Sequence, residues 1–302
     1  MRVFLIRHGE TEHNVAGLLA GATDSRLTNH GLIQAQRLAS YLVKRRHLQF
    51  THIFASDLQR AHRTANEISN AQSAARPEDA GIGTTVLPLL REQDFGSFEL
   101  LPWKRSQDLR LKDPSPEDPG FKPKETHAAL KLRADAFVDD YLLPLLALDD
   151  EWEQDIAVVS HGLLLGALWK ALLIRFRPST VSLSPDVVLS NVKRSLENLP
   201  AWSNTGFLEL HICSAQNTWQ DTATTEENSS RQPKSTEKLD ATMTICAVNG
   251  KEHLAHLKRT RGGVGSTASD ERQQRLESFF KKRKVDTTPK PSLEIRDKTT
   301  SL

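Results

Sequence analysis

The chain has little that would staple, anchor or repeat it. Only two cysteines, Cys213 and Cys246, occur among 302 residues. Without paired spacing they exclude a disulfide framework and a cysteine-built zinc site, and they point to a reducing compartment. No basic segment precedes the first apolar run, which is four residues long, so no secretory signal is expected. Residues 156–174 approach the length of a membrane span but contain Ser160, His161 and Lys170. They read instead as a strand followed by a helix, and no membrane partner is expected. No repeat period is visible. Aromatics make up 6% of the chain, and too few stand in its basic end for sequence-specific nucleic-acid readout.

Net charge is small, +2, but unevenly placed. Residues 258–302 hold twelve basic and six acidic side chains, a balance of +6, so the remainder carries −4, the overall +2 less that +6. A polyanionic or acidic partner therefore meets the tail rather than the body. The tail's Gly262-Gly263-Val264-Gly265-Ser266 is a flexible spacer, because no Lys-Ser/Thr follows it and no strand leads in, as a phosphate loop requires.

What is present is organised around the first residues. Val3-Phe4-Leu5-Ile6 reads as a strand buried on both faces, ended by Arg7-His8-Gly9. Ligands of open α/β sheets bind outside the carboxyl ends of strands. A guanidinium beside an imidazole there suits phosphate chemistry: arginine matches phosphate oxygens, and a neutral histidine can attack phosphorus.

Further along, strand and helix patterns alternate. Thr28 is a fit N-cap for a helix over 28–46 that buries Leu32, Ala35, Ala39 and Leu42. A second strand over 52–55 is closed by Ser56-Asp57, and its following helix buries Leu58, Ala61, Ala65 and Ile68. Strands are predicted at 85–90, 155–160, 207–212 and 243–248. Helices are predicted at 125–148, kinked by Pro144, at 163–173 and at 252–257. Residues 100–124 read as a proline-rich surface insertion whose Lys104, Arg105, Arg110 and Lys112 are solvated. The polar stretch at about 214–242 reads as a disordered insertion. These patterns predict an α/β fold, a three-layer α/β/α sandwich with one mostly parallel sheet over residues 1–257. A disordered basic tail over 258–302 follows.

Arg7-His8-Gly9-Glu10-Thr11 with Asn14 resembles the signature of the histidine phosphatase superfamily, the phosphoglycerate-mutase-like proteins. Asp24, Leu27, Thr28 and Gly31 match the segment after that signature. Ser56-Asp57-Leu58-Gln59-Arg60-Ala61 resembles its second motif, Leu90-Arg91-Glu92 with Phe95-Gly96 its acid segment, and Ser160-His161-Gly162 its second histidine. The resemblance implies catalytic roles for His8, Glu92 and His161 and phosphate binding by Arg7, Asn14 and Arg60. His8 would form a phosphohistidine, with its ring held in one tautomer by a backbone carbonyl. Glu92 would protonate the leaving oxygen, which requires a carboxyl that still holds its proton; a nearby phosphate dianion and partial burial would supply that. Neither metal nor cofactor is implied, and the partner is a phosphorylated substrate. Two positions depart from the family pattern: Leu100 stands where a glycine usually follows the acid, and Lys124 where a small residue usually precedes Glu125-Thr126. Both leave the substrate side open. A metal-independent phosphatase is the favoured reading. The alternatives are a mutase of the same fold and a non-catalytic nuclear interaction module.

In the tail, residues 273–280 resemble the PIP box of proteins that bind proliferating cell nuclear antigen, the sliding clamp. Gln273, Leu276, Phe279 and Phe280 stand at the recognition positions. Lys281, Lys282, Arg283 and Lys284 resemble a nuclear import signal, which implies importin as a partner and a nuclear location, with some protein in the cytoplasm.

Overall fold

A computed structural model describes residues 1–77, 82–104, 112–146, 154–187, 196–199, 201–214, 238–259 and 263–270. Seven strands form one sheet in the order β3-β2-β4-β1-β6-β7-β5. They are β1 (Arg2–Arg7), β2 (Phe50–Ala55), β3 (Thr84–Val86), β4 (Asp155–Ser160), β5 (Val181–Leu183), β6 (Phe207–Ser214) and β7 (Ala241–Gly250). β6 pairs antiparallel with β1 and β7, and the other four pairings are parallel. The sheet is thus mostly parallel, as expected, with one reversed strand.

Helices cover both faces, and the pleat sorts β1 between them. Val3 and Leu5, with Ile156 and Val158 of β4, join the core under α4 (His127–Phe137) and α6 (Gly162–Leu173). Phe4 and Ile6, with Ala157 and Val159, join the opposite core under α2 (Asn29–Ala39) and α3 (Gln59–Ala75). Adjacent residues on a strand face opposite ways, so an unbroken apolar run is what a strand buried on both faces requires. β4 is buried along its whole length.

Several boundaries differ from those the sequence predicts. Thr28 caps α2 by accepting from the Gly31 amide, but the helix passes into a wider π-helical turn at Ser40–Arg45. The predicted 125–148 helix is interrupted by a π-helical turn at Val138–Leu142 before a short α5 (Leu143–Leu146) that contains Pro144. Proline lacks an amide hydrogen and crowds the carbonyl four residues back, and a widened turn relieves both. The 85–90 strand stops at Val86, because Pro88 cannot donate to a ladder and starts the 3-10 turn Pro88–Leu90. The helix predicted at 252–257 is a single 3-10 turn, Glu252–Leu254.

The body also runs further than predicted. It continues to Ser269 rather than ending at 257. The Asn29 amide donates to Thr267 O at 3.0 Å and the Ser269 amide to Leu27 O at 2.8 Å, so polar backbone, not apolar pattern, holds this extension. The insertion predicted at about 214–242 is bounded more narrowly, since Ser214 closes β6 and Ala241 and Thr242 open β7; residues 215–237 lie outside the described residues, as do 271–302. Among the described residues no helix is long and apolar enough to cross a membrane.

Candidate active site

Parallel pairing sets the first geometry. Arg7 stands opposite Ser160 in the β1–β4 register, so the next residue of each strand, His8 and His161, emerges at the same end of the sheet. The His8 amide donates to Ser160 O at 3.0 Å, and the two rings lie 5.1 Å apart. His8 is 4% exposed and His161 fully buried.

Each ring is held through one nitrogen. His8 Nδ1 lies 2.7 Å from the Gly9 carbonyl, an acceptor, so Nδ1 carries the hydrogen and Nε2 keeps its lone pair. His161 Nδ1 accepts from Arg60 Nε at 3.2 Å, which places the ring hydrogen on Nε2. Burial first, then the charges of Arg60 and Arg7, hold the His8 imidazole well below the usual histidine range, against a smaller opposing effect of the Gly9 bond. Burial and the same arginines act likewise on His161. Both rings are therefore neutral near pH 7.

Two buried donors face the site without a protein partner: Arg7 Nε and His161 Nε2. Arg7 is anchored through Nη1, which donates to Trp202 O at 2.6 Å. Arg60, 1% exposed, is more fully engaged. Besides His161, it donates to Thr23 O at 2.9 Å, Gly21 O at 2.8 Å and Ala20 O at 3.2 Å, and it pairs with Asp24 at 3.6 Å. It anchors the 20–24 loop and orients His161.

Glu92 stands at the start of α6. One carboxylate oxygen accepts from the Leu163 amide at 3.1 Å, and the other from Leu164 at 3.1 Å and Gln93 at 3.0 Å. A β-carbon placed on Gly162 would lie 3.9 Å from Glu92 Oε2 and 4.0 Å from Arg7 Nε, so the two side chains converge there. Asn14 Oδ1 accepts from the Thr11 amide at 3.2 Å and from Asn204 Nδ2 at 3.0 Å, and Asn204 also donates to His8 O. All six catalytic-domain residues expected from the sequence are thus gathered at one sheet end. Gln273, Leu276, Phe279, Phe280, Lys281, Lys282, Arg283 and Lys284 lie outside the described residues.

The residues that fix this geometry were less visible. The Gly9 amide donates to Thr64 Oγ1 at 3.0 Å; Thr64 sits one helical turn after Arg60, a spacing that could have singled it out. Arg133 donates to Leu89 O, Arg91 O and Glu92 O while pairing with Glu125 at 2.7 Å, and so clamps the Glu92 segment. Glu99 accepts from the Gly21, Ala22, Thr23 and Phe95 amides at 2.9–3.1 Å, joining the Arg60 loop to its own. Burial opposes its ionisation, but these bonds outweigh it and hold Glu99 below the usual carboxylate range. Thr205, at φ +55°, donates its amide to Arg7 O and His8 O. No local pattern marks 202–206. Of the insertion's basic residues, Lys104 lies over the Trp103 ring, Lys112 pairs with Asp118 at 3.7 Å, and Arg105 and Arg110 lie outside the described residues.

A mostly parallel sheet thus brings two neutral histidines and two unpartnered donors, one of them on a guanidinium, to adjacent strand ends, an arrangement suited to phosphoryl transfer. The chain belongs to the histidine phosphatase superfamily, branch 1, whose family model matches residues 3–184, and it is a phosphoric ester hydrolase. A probable phosphatase of Schizosaccharomyces pombe is 28% identical over 92% of this chain and 79% of its own length. A probable phosphoglycerate mutase, GpmB, of an Enterobacter species is 33% identical over 57% of this chain and 75% of its own. The crystal structure of the alpha-ribazole phosphatase from Shigella flexneri superposes with a TM-score of 0.52 at 21% identity, covering 83% of this chain and 97% of that one, a likeness of fold.

Proposed function

We propose that the protein hydrolyses phosphate monoesters without a metal, through a phosphohistidine on His8. The observation that carries this is the pairing of a fixed His8 tautomer with two unpartnered donors, Arg7 Nε and His161 Nε2, beside it. His8 Nε2 attacks phosphorus, the ester P–O bond breaks, and Glu92 gives its proton to the leaving oxygen. Arg7 and His161 take the charge that spreads over the equatorial oxygens. Asn14, its carbonyl oxygen already engaged, offers its amide hydrogens. Arg60 acts chiefly by orienting His161. Water then attacks the phosphohistidine and loses its proton to Glu92, which restores both groups.

Hydrolysis is favoured over mutase transfer because a relative matched over 92% of this chain is a probable phosphatase. Release of inorganic phosphate, against transfer to a second position of the substrate, decides between them. His8→Ala is expected to abolish turnover and the acid-labile phosphoenzyme while the fold survives, since His8, though buried, belongs to neither apolar core. Label retained on that variant would move the nucleophile elsewhere.

The tail is proposed to recruit this phosphatase to the nuclear sliding clamp, with importin carrying it in, on the strength of Gln273, Leu276, Phe279, Phe280 and the run 281–284. Titration of a 269–284 peptide against the clamp, with a Phe279→Ala, Phe280→Ala control, tests it. Micromolar binding by the native peptide alone is expected, and equal binding by both peptides would reduce the octet to a sticky segment.

A further inference from the structure

Glu10 is a buried carboxylate that the reaction above does not use. It stands two residues after His8 and is 8% exposed. One oxygen accepts from the Thr28 hydroxyl at 2.8 Å, and the other pairs with Arg259. Its amide donates to Gln34 Oε1 at 2.9 Å. That amide belongs to the same planar peptide unit as the Gly9 carbonyl that holds His8 Nδ1. Whatever orients Glu10 therefore aims the carbonyl that selects the His8 tautomer.

The surroundings leave this peptide little room. A β-carbon on Gly31 would come within 2.0 Å of Glu10 O, and one on Gly9 within 2.6 Å of Gly31 O. Arg259 is held in turn: its Nη1 donates to Ser266 Oγ at 2.7 Å. The segment 263–269 is fastened to the start of α2 by Asn29, whose side chain donates to Val264 O at 3.0 Å and whose amide donates to Thr267 O, and by the Ser269 amide on Leu27 O. Arg259, together with the fastened segment 263–269, thus delivers one cation to a buried anion of the histidine signature.

We propose that Arg259 is a positioning residue for His8: by pairing with Glu10 it fixes the Gly9–Glu10 peptide, and through the Gly9 carbonyl the tautomer in which Nε2 can attack. This rests on His8 as the nucleophile. Without Arg259 the Glu10 carboxylate keeps the Thr28 hydroxyl but loses its counter-charge in a buried place. Such a charge admits water or turns towards solvent, and the peptide turns with it. A His8 ring freed from Gly9 O samples the tautomer with its hydrogen on Nε2, which has no lone pair for phosphorus.

The test uses the full chain and three variants, Arg259→Met, Arg259→Lys and Arg259→Met with Glu10→Gln. Two readouts are compared at fixed pH: the ¹⁵N imidazole shifts of His8, and kcat and KM for p-nitrophenyl phosphate. Arg259→Met is expected to mix the His8 tautomers and lower kcat about tenfold while KM stays within about twofold, as misplacement of a reacting atom does. The lysine variant keeps the ion pair and the double variant removes the unpaired charge, so both should recover most of kcat and the single tautomer. An unchanged tautomer in Arg259→Met overturns the proposal, whether kcat is kept or lost, and so does failure of both rescues. The ¹⁵N readout needs no turnover, so it fails or succeeds independently of the phosphoenzyme experiment on His8.

Discussion

His8 and His161 reach the site by ending two adjacent parallel strands, whereas Glu92 and the Arg60 loop reach it on irregular backbone. At the strand ends, a register of six residue pairs puts the two rings 5.1 Å apart, and apolar burial on both faces of the sheet holds it. At the other side of the crevice, the 20–24 and 88–104 segments are placed by side chains acting as backbone partners: Glu99 on four amides, Arg133 on three carbonyls, Arg60 on three more. The first construction spends apolar area and tolerates variation in its polar tips. The second depends on charged groups whose loss leaves several backbone atoms unsatisfied at once, each costing about 1–3 kcal/mol where buried.

The sharpest way to break this comparison is at Glu92, where the looped side meets the reaction. Glu92→Gln must turn an amide towards one of the backbone donors at the start of α6, because both carboxylate oxygens accept there. That misfit slows every substrate alike. Compared as kcat/KM, which stops at the phosphohistidine and leaves out the later attack of water, loss of the proton slows only esters whose leaving oxygen needs one, so alkyl phosphates should lose about 100-fold more than an activated aryl phosphate. Equal losses in parallel kinetics would confine Glu92 to holding the loop against α6.

A second test reaches the loop that closes the strand-end side. Thr205 bonds the carbonyls of Arg7 and His8 and is itself bonded by its hydroxyl to His253 Nε2 at 2.9 Å. His253 lies against Tyr41 and Phe207, with Arg37 the nearby charge, and burial lowers it to about 4. The unfolded chain binds this proton near pH 6.5 and the folded chain does not until about pH 4. Stability is therefore fully present above 6.5 and falls as pH drops through that window, by up to about 3 kcal/mol. His8 and His161 add losses of the same sign, so the pH dependence should shrink by one proton, not vanish, in His253→Gln. Urea unfolding at pH 7 and pH 4.5 measures this, and an unchanged difference would mean that His253 meets water.

The same contrast explains what was legible. Val3 to Ile6, the 52–55 run and the 155–160 run specify buried strands by composition, and the residues ending β1 and β4 are site residues by position. Glu92 was found through resemblance, since a loop acid has no local signal. Arg133, Thr205 and Gln34 act across more than twenty residues of sequence, and nothing in their neighbourhoods says so. The tail boundary lies further on than composition suggests for a related reason: residues 263–269 are fastened by hydrogen bonds to Leu27 and Asn29 at the entry to α2, and a stretch rich in glycine and serine reads as solvated when so distant a partner is unseen.

The smallest expected effect lies at Leu100, the position where the family pattern carries a glycine. Leu100 has φ +62°, a left-handed conformation that costs a side-chain-bearing residue about 1–2 kcal/mol. It is held there because its amide donates to Leu19 O at 2.7 Å, directly after Glu99 gathers the 21–23 amides. The side chain is 44% exposed and therefore repays little by burial. Leu100→Gly removes the strain and gives back about 0.4–1 kcal/mol in unfolded-chain entropy. A net gain of about 0.5–1 kcal/mol should remain, a rise of about 2 °C in melting temperature at this size. Turnover of a small aryl phosphate should not change, because Glu99 keeps its bonds. A fall in melting temperature would show that the leucine packs against the insertion strongly enough to offset its backbone, and would make the departure at residue 100 a structural adaptation of the looped side.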